Sequence, residues 1–380
     1  MVKVIYTEPT WSVLKMDLVQ FVLSFVAILA GCEFFTNGVE WLGKRYNLSE
    51  GCVGSVLAAV GTAMPETLIP LIAIIFVGGD AGHEIGVGAI LGAPFMLSTL
   101  ALFVVGLSVF AFIRRRKTRT LHINGKLIRR DLKFFLIAYS LAALAALLPP
   151  DFSGFKWVVG LSLIPLYVLY TYKTVKRGEC SLENNEVKDL YLHKAVCKVN
   201  GSERRQAERV DDPVTEAFRK AVYGSRPPTY LIFAQVLMGL MAIILGANMF
   251  VGQISAVAEE IGLSPLILSL ILAPVATELP EKFNSVLWIR DRKDTYAIGN
   301  ITGAMVFQSS IPVTIGIVLT DWHMDLSNGV QFIQACSIGI ALLSASILYL
   351  RSTQKELRMS GLMLGGALYL LFFVLVILSV

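Results

Sequence analysis

Apolar residues along this chain fall in long blocks separated by polar connections. Ten blocks reach or approach the length of about 20 residues that a helix needs to cross a hydrocarbon core. They cover 17–43, 52–77, 84–113, 132–149, 155–173, 229–257, 264–289, 295–319, 327–350 and 359–379. Blocks this long are helical rather than strand-like, because a bilayer leaves no water for unpaired backbone groups and a helix pairs its own. The pattern predicts an all-α polytopic membrane protein with ten transmembrane helices. One long polar stretch, 176–228, separates residues 1–175 from residues 229–380, with five blocks on each side. It is rich in charge and poor in aromatics, the composition of a linker.

Composition agrees with lipid as the solvent: 55% of the residues are hydrophobic and only 16% charged, against roughly a quarter charged in soluble domains. The net charge of +5 raises nucleic-acid binding, but the placement of the charges gives a different meaning. Of the 33 Lys and Arg, 29 lie in or at the edges of the connections after blocks 1, 3, 5, 7 and 9, and one, Lys282, lies deep inside a block. Basic loops stay cytoplasmic, so both termini are expected outside, in a plasma (inner) membrane, with the linker inside. The positive charge is then a topology signal, and no nucleic-acid partner is expected. The five cysteines are scattered without a CxxC pair, which speaks against a disulfide framework or zinc ribbon. The first block is too long for a signal peptide and lacks a small-residue cleavage site. Trp41, Trp157, Trp288 and Trp322 stand near block ends, as in an interfacial belt.

The two halves repeat one another. Residues 31–66 align without a gap on 246–281 at an offset of 215. Gly31 meets Gly246, Leu48-Ser49 meets Leu263-Ser264, and Thr62-x-x-Pro65-Glu66 meets Thr277-x-x-Pro280-Glu281. Gly88-x-x-x-Gly92 then meets Gly299-x-x-x-Gly303 at an offset of 211. Five crossings per half is odd, so the second half enters the membrane in the opposite sense. Inverted repeats of this kind are typical of secondary transporters, whose site lies at the midplane between the halves.

Candidate chemistry sits in the repeated motif. Pro65 and Pro280 each remove a helical N–H, which frees the carbonyl four residues earlier, on Gly61 and Ala276. Each repeat therefore offers a backbone oxygen, a Thr hydroxyl and a carboxylate on one broken turn. Two such turns facing each other form a cluster of hard oxygens, the ligand type of Ca²⁺. An ionised side chain at the bilayer centre costs about 2.5–3.5 kcal/mol on insertion scales, yet Glu66, Glu278 and Glu281 all lie there. The competing reading is a set of structural carboxylates, protonated or paired with helix neighbours. Lys282 follows Glu278 by four residues, the favourable order for a helical ion pair, and is expected to neutralise it in part. The paired glycines read as close packing against the broken helices.

These motifs resemble those of the cation/Ca²⁺ antiporters, the sodium/calcium exchanger superfamily: Gly61-Thr62-x-x-Pro65-Glu66 and Ala276-Thr277-x-x-Pro280-Glu281, followed by Gly88-x-x-x-Gly92 and Gly299-Asn300-x-x-Gly303. The resemblance covers both halves but not the linker. It implies an alternating-access antiporter exchanging Ca²⁺ for Na⁺ or H⁺, with Thr62, Glu66, Thr277 and Glu281 as central Ca²⁺ ligands and no further cofactor. Several positions depart from the sodium-coupled pattern. Ala63 and Glu278 replace serines, so Glu278 brings a third carboxylate to the proposed metal cluster. Two more serines become Ala93 and Ala304. The closing polar residue becomes Leu97 in one half and Gln308 in the other, which makes Gln308 and Lys282 the candidate coupling residues. Alternatives on the same fold are a carrier of Mg²⁺ or Mn²⁺, a cation channel and a non-transporting sensor. No Ser/His or Cys/His arrangement suggests an enzyme. A monomer and an oligomer remain equally open.

Overall fold

The computed structural model describes residues 11–45, 64–176, 189–196, 227–353 and 356–379. Helix α1 spans Trp11–Arg45, and α2 spans Met64–Ile72 and runs on through a π-helical turn, Ala73–Val77. Helix α3, Gly79–Met96, passes through a second π turn, Leu97–Ala101, into α4, Leu102–Ala111. Next come α5, Gly125–Leu147, and α6, Ser153–Lys176. Beyond the linker stand α7, Thr229–Ile261; α8, Pro265–Thr277; and α9, Leu279–Arg290. The last four are α10, Asp294–Gln308; α11, Ile311–Leu319; α12, Gly329–Arg351; and α13, Met359–Ser379.

Seven helical stretches among the described residues are long and apolar enough to cross a membrane: 19–39, 79–111, 154–174, 229–261, 294–319, 329–351 and 359–378. The other three expected spans fall short for identifiable reasons. The second is described only from Met64. The fourth, α5, opens with Arg129, Arg130, Asp131 and Lys133. The seventh is interrupted at Glu278, between α8 and α9.

The expectation of an all-helical chain needs one correction. Thr120–His122 pairs antiparallel with Glu356–Arg358, Thr120 opposite Arg358. Both strands belong to basic connections, after the third and ninth blocks, and the ribbon satisfies backbone groups that leave their helices side by side. That pairing is one sign of a common end. Arg116 and Asp294 form a buried ion pair there at 2.7 Å, and Arg292 donates to the carbonyl of Arg115 at 2.8 Å. The connections after blocks 3, 7 and 9 thus lie together, as the charge alternation requires. The even-numbered connections meet at the opposite end. Met324 N–H donates to the Ala146 carbonyl at 2.8 Å, and Ser264 Oγ donates to Glu84 at 2.9 Å. Trp322, expected at the lipid interface, is instead 4% exposed. Its ring packs under Gly316, and Nε1 donates to the Ala142 carbonyl at 3.1 Å. A buried hydrogen-bond acceptor outcompetes the interface for the indole.

Two tight seams organise the bundle. Along α1 and α7, a Cβ on Gly31 would stand 2.9 Å from Ile243 and from the Gly239 carbonyl, and one on Gly246 would stand 2.9 Å from Ile28 and from the Ser24 carbonyl. These contacts are reciprocal under the repeat offset, since 24, 28 and 31 align with 239, 243 and 246. Amide pairs close both ends of the seam. Gln253 donates to Gln20 at 2.8 Å, and Gln235, the residue aligned with Gln20, donates to Asn37 at 2.8 Å. The linker touches the second of these ends. Leu190 is buried, the Tyr191 N–H donates to Asn37, and the Leu192 N–H donates to Gln235 at 2.8 Å.

The second seam joins α3 to α8. A Cβ on Gly88 would fall 2.3 Å from the Leu266 carbonyl, and one on Gly92 would fall 2.1 Å from the Leu270 carbonyl. Both obstacles are backbone atoms that cannot rotate away. Gly92→Val is therefore expected to cost about 1–3 kcal/mol or more through overpacking, read as a lower unfolding temperature in detergent. Gly339→Val, where no atom lies within 4 Å, serves as the control. Equal shifts for the two variants would refute this account of the seam.

Candidate functional site

The broken turn of the second half is described in full. Helix α8 ends at Thr277, Glu278 takes φ −89° and ψ 9°, and α9 starts at Leu279 with Pro280 in its first turn. Pro280 has no N–H to offer the Ala276 carbonyl, so the ladder is interrupted where the carboxylates cluster. Glu278 N–H still reaches the Pro274 carbonyl at 3.2 Å, and Lys282 N–H reaches the Glu278 carbonyl at 3.1 Å. The helix is therefore nicked rather than unwound.

From the first half, Glu66 lies in the first turn of α2. Pro70, four residues later, leaves the Glu66 carbonyl without its helical donor, so this residue presents both backbone and side-chain oxygen. Thr62 lies outside the described residues, as do Gly61 and Ala63.

Tertiary packing brings the two halves' carboxylates together. Glu66 lies within electrostatic range of Glu281, Glu278 and Lys282. Glu66, Glu278 and Glu281 are 5%, 1% and 6% exposed. Among the described residues, Glu66 Oε2, Glu281 Oε2 and Glu278 Oε1 have no hydrogen-bond partner. Buried carboxylate oxygens are normally hydrogen-bonded or paired, and orphaned ones are costly, so these oxygens are the candidates for binding a ligand. Of the three, Glu278 has a helix neighbour as partner: its Oε2 forms an ion pair with Lys282 Nζ at 3.1 Å. Among the described residues, no three His, Cys, Asp or Glu side chains stand close enough to hold a metal ion by themselves. Carboxylates alone do not complete a site; hydroxyl and carbonyl oxygens are needed as well. Thr277 is one source, buried, with its hydroxyl donating to the Ala273 carbonyl at 3.1 Å and its lone pairs left over.

The remaining candidate, Gln308, ends α10 at a second interruption, Ser309-Ser310, before α11 begins. It is 2% exposed, and its Oε1 has no partner among the described residues. Three residues escaped the sequence reading. Met96, on α3, accepts from Lys282 Nζ at 3.0 Å through its sulfur; an apolar residue in an apolar block gives no signal. Asn300 donates to the Glu281 carbonyl at 3.2 Å, and its signal was its place in the Gly-Asn-x-x-Gly motif. Asp131 accepts from Thr302 at 2.9 Å, tying α5 to α10; its basic neighbours concealed it.

The described residues thus form a helical bundle in which buried carboxylates from both halves keep oxygens without a described partner. Comparison with known proteins places it further. The sodium/calcium exchanger protein family matches residues 16–176 and 231–380. The chain belongs to that family, and with it to the cation/Ca²⁺ antiporter superfamily that its motifs resemble. It is 22% identical to the sodium/calcium exchanger MaX1 of Methanosarcina acetivorans over 75% of this chain and 77% of that protein. It is 21% identical to the inner membrane protein YrbG of Escherichia coli over 91% and 92% of the two chains. Among solved structures, the H⁺/Ca²⁺ exchanger CAX superposes with a TM-score of 0.61 at 17% identity, over 95% of this chain and 82% of that one. The sodium–calcium exchanger NCX_Mj gives 0.52 at 19% identity, over 94% and 97%. Both likenesses establish a shared fold.

Proposed function

We propose that this protein is a secondary antiporter that moves Ca²⁺ in exchange for another cation, Na⁺ or H⁺. The observation that carries this reading is the pairing of Glu66 and Glu281. They come from different halves, are nearly excluded from solvent, and keep unpartnered oxygens within electrostatic range of each other. Two carboxylates match the charge of one divalent cation, and Thr62, Thr277 and the carbonyls freed by proline raise the oxygen count toward the roughly six to eight that Ca²⁺ takes. Glu278 lies beside them and offers its free oxygen. The relatives named as exchangers of Ca²⁺ with Na⁺ or with H⁺ support the same substrate class.

Alternating access between two inverted five-helix halves, 1–175 and 229–380, around the 176–228 linker is the accompanying mechanism. The reciprocal contacts along α1 and α7 support it, because an inverted repeat relates the two faces of that seam by a two-fold axis. In this reading ten helices cross a plasma membrane, with the termini outside and the linker in the cytoplasm.

The test is flux in reconstituted vesicles. Vesicles loaded with radiolabelled Ca²⁺ are given a Na⁺ gradient or a pH gradient separately. Efflux driven by one of them is expected, and efflux under neither sinks the antiporter reading. Current without any counter-ion requirement would mark a channel. One feature favours a second reading. Leu97 and Ala304 stand where the exchanger motif carries polar side chains, and fewer polar ligands suit a smaller, water-retaining ion such as Mg²⁺ or Mn²⁺. Competition of each against Ca²⁺ in the same assay separates the two.

A further inference from the structure

The nicked turn between α8 and α9 carries an ion pair that the first half does not have. The positions aligned with Glu278 and Lys282 are Ala63 and Thr67, so both charges occur in the second half alone. Lys282 is 7% exposed. Its ammonium is surrounded by Glu278 Oε2 at 3.1 Å, the Pro274 carbonyl at 3.2 Å and Met96 Sδ at 3.0 Å. A lysine ammonium has three N–H donors; it donates to the carbonyl and the thioether, and the carboxylate lies at ion-pair distance. One of them, Met96, lies on α3 in the other half of the chain. The ammonium is therefore held between the halves, as a bound ion would be.

The charge count gives this arrangement a consequence. With all three carboxylates ionised, as a bound divalent ion requires, Glu66, Glu278 and Glu281 carry three negative charges and Lys282 returns one positive. The remainder equals the charge of one divalent ion. Uncompensated charge is strongly disfavoured where water is excluded, so the load such a site takes is set by its net charge. We propose that Lys282 is a tethered monovalent cation: it occupies a built cation subsite of carboxylate, carbonyl and thioether, and it makes a single divalent ion a complete load. Lys282 is thus a specificity-determining residue that excludes a monovalent companion ion. The proposal rests on the reading of Glu66 and Glu281 as a divalent-cation site.

The experiment measures bound ions on the purified full-length chain in detergent, in alkaline buffer, with radiolabelled Na⁺ and saturating Ca²⁺. Wild type and Lys282→Arg are expected to retain no Na⁺ beside Ca²⁺. Lys282→Gln is expected to retain about one Na⁺ per Ca²⁺, because the lost positive charge must be replaced in a site that tolerates little net charge. The double variant E278Q/K282Q, in which both charges go, is expected to lose that Na⁺ again while still binding Ca²⁺ more weakly. Lys282→Gln that binds Ca²⁺ with no retained Na⁺ overturns the proposal, and so does a double variant retaining as much Na⁺ as the single one. Should Lys282→Gln fail to purify as a single species, the double variant decides: it must purify, bind Ca²⁺ and retain no Na⁺, and failure of any of these overturns the proposal. Wild type that binds Mn²⁺ or Mg²⁺ but not Ca²⁺ overturns the Ca²⁺ reading alone, and the count is then made with that ion. Wild type that binds no divalent ion overturns both.

Discussion

Glu66→Gln and Glu281→Gln are each expected to reduce Ca²⁺ flux by about two to three orders of magnitude. Removing one partner of a buried charge interaction costs about 3–5 kcal/mol, and each 1.4 kcal/mol is a factor of about ten. The substitution keeps the shape of the side chain, so the loss is one of charge and not of packing. The effect on stability has the opposite sign. Glu66 Oε2 and Glu281 Oε2 are buried without a partner among the described residues, and a neutral amide is cheaper to bury than a carboxylate. Both variants should unfold at the same or a higher temperature than wild type while transport disappears. This opposition of activity and stability is what a site built for a ligand predicts. Flux at the wild-type rate in either variant would remove that glutamate from the site, and lost flux with an equally large loss of stability would mark it as structural.

The second large effect is on stability and lies away from the site. Arg116→Ala or Asp294→Ala is expected to destabilise the protein by about 3–5 kcal/mol, because each leaves its partner buried and uncompensated. Both side chains are nearly inaccessible and meet at 2.7 Å. Arg116 also donates to the carbonyl of Ile289 at 2.5 Å, and Asp294 accepts from the His122 N–H at 2.9 Å. This one pair closes the ends of α4, α9 and α10 and the start of the ribbon. Replacing both residues together by Met and Leu should recover most of the loss, since an apolar pair leaves no charge stranded. The contrast is Arg115 with Asp291, 3.5 Å apart and exposed at 64% and 38%. Arg290, hydrogen-bonded beside it, already holds the Asp291 carboxyl below its usual range, and Arg115→Ala should leave the unfolding temperature unchanged. Thermal unfolding in detergent, followed for the five proteins side by side, checks both statements.

Much of the architecture was legible because the bilayer imposes it. The apolar blocks became helices close to the expected bounds, as with 329–351 for the block 327–350 and 359–379 for the last. The alternation of basic connections agrees with the structure for the connections after blocks 3, 7 and 9, which meet through Arg116–Asp294 and the strand ribbon. The proline-nicked turn was legible too, because proline acts on its own helix. Trp322 was not: its sequence neighbours place it at a span end, and only the fold supplies the Ala142 carbonyl that draws the indole inward. The ribbon was missed for a related reason. Three-residue strands carry no period of their own and exist only because two distant connections happen to be adjacent.

At the site the division is sharper. The chain by itself determined which residues are the candidates for the chemistry and how they repeat: Glu66 and Glu281 on matched motifs, with Glu278 and Lys282 added to one. These are properties of spacing along a helix, and spacing is local. Tertiary structure alone decided what those residues face. It set Glu66 within range of Glu281, left their oxygens unpartnered, and enclosed Lys282 with Met96 from the other half. The physical reason is that a charge's partner is settled by whichever helices pack together. Here that packing is set by glycines such as Gly88 and Gly92, which let α3 and α8 approach to backbone contact. The sequence reveals the glycines, but the partner atoms on the facing helix come only from the fold.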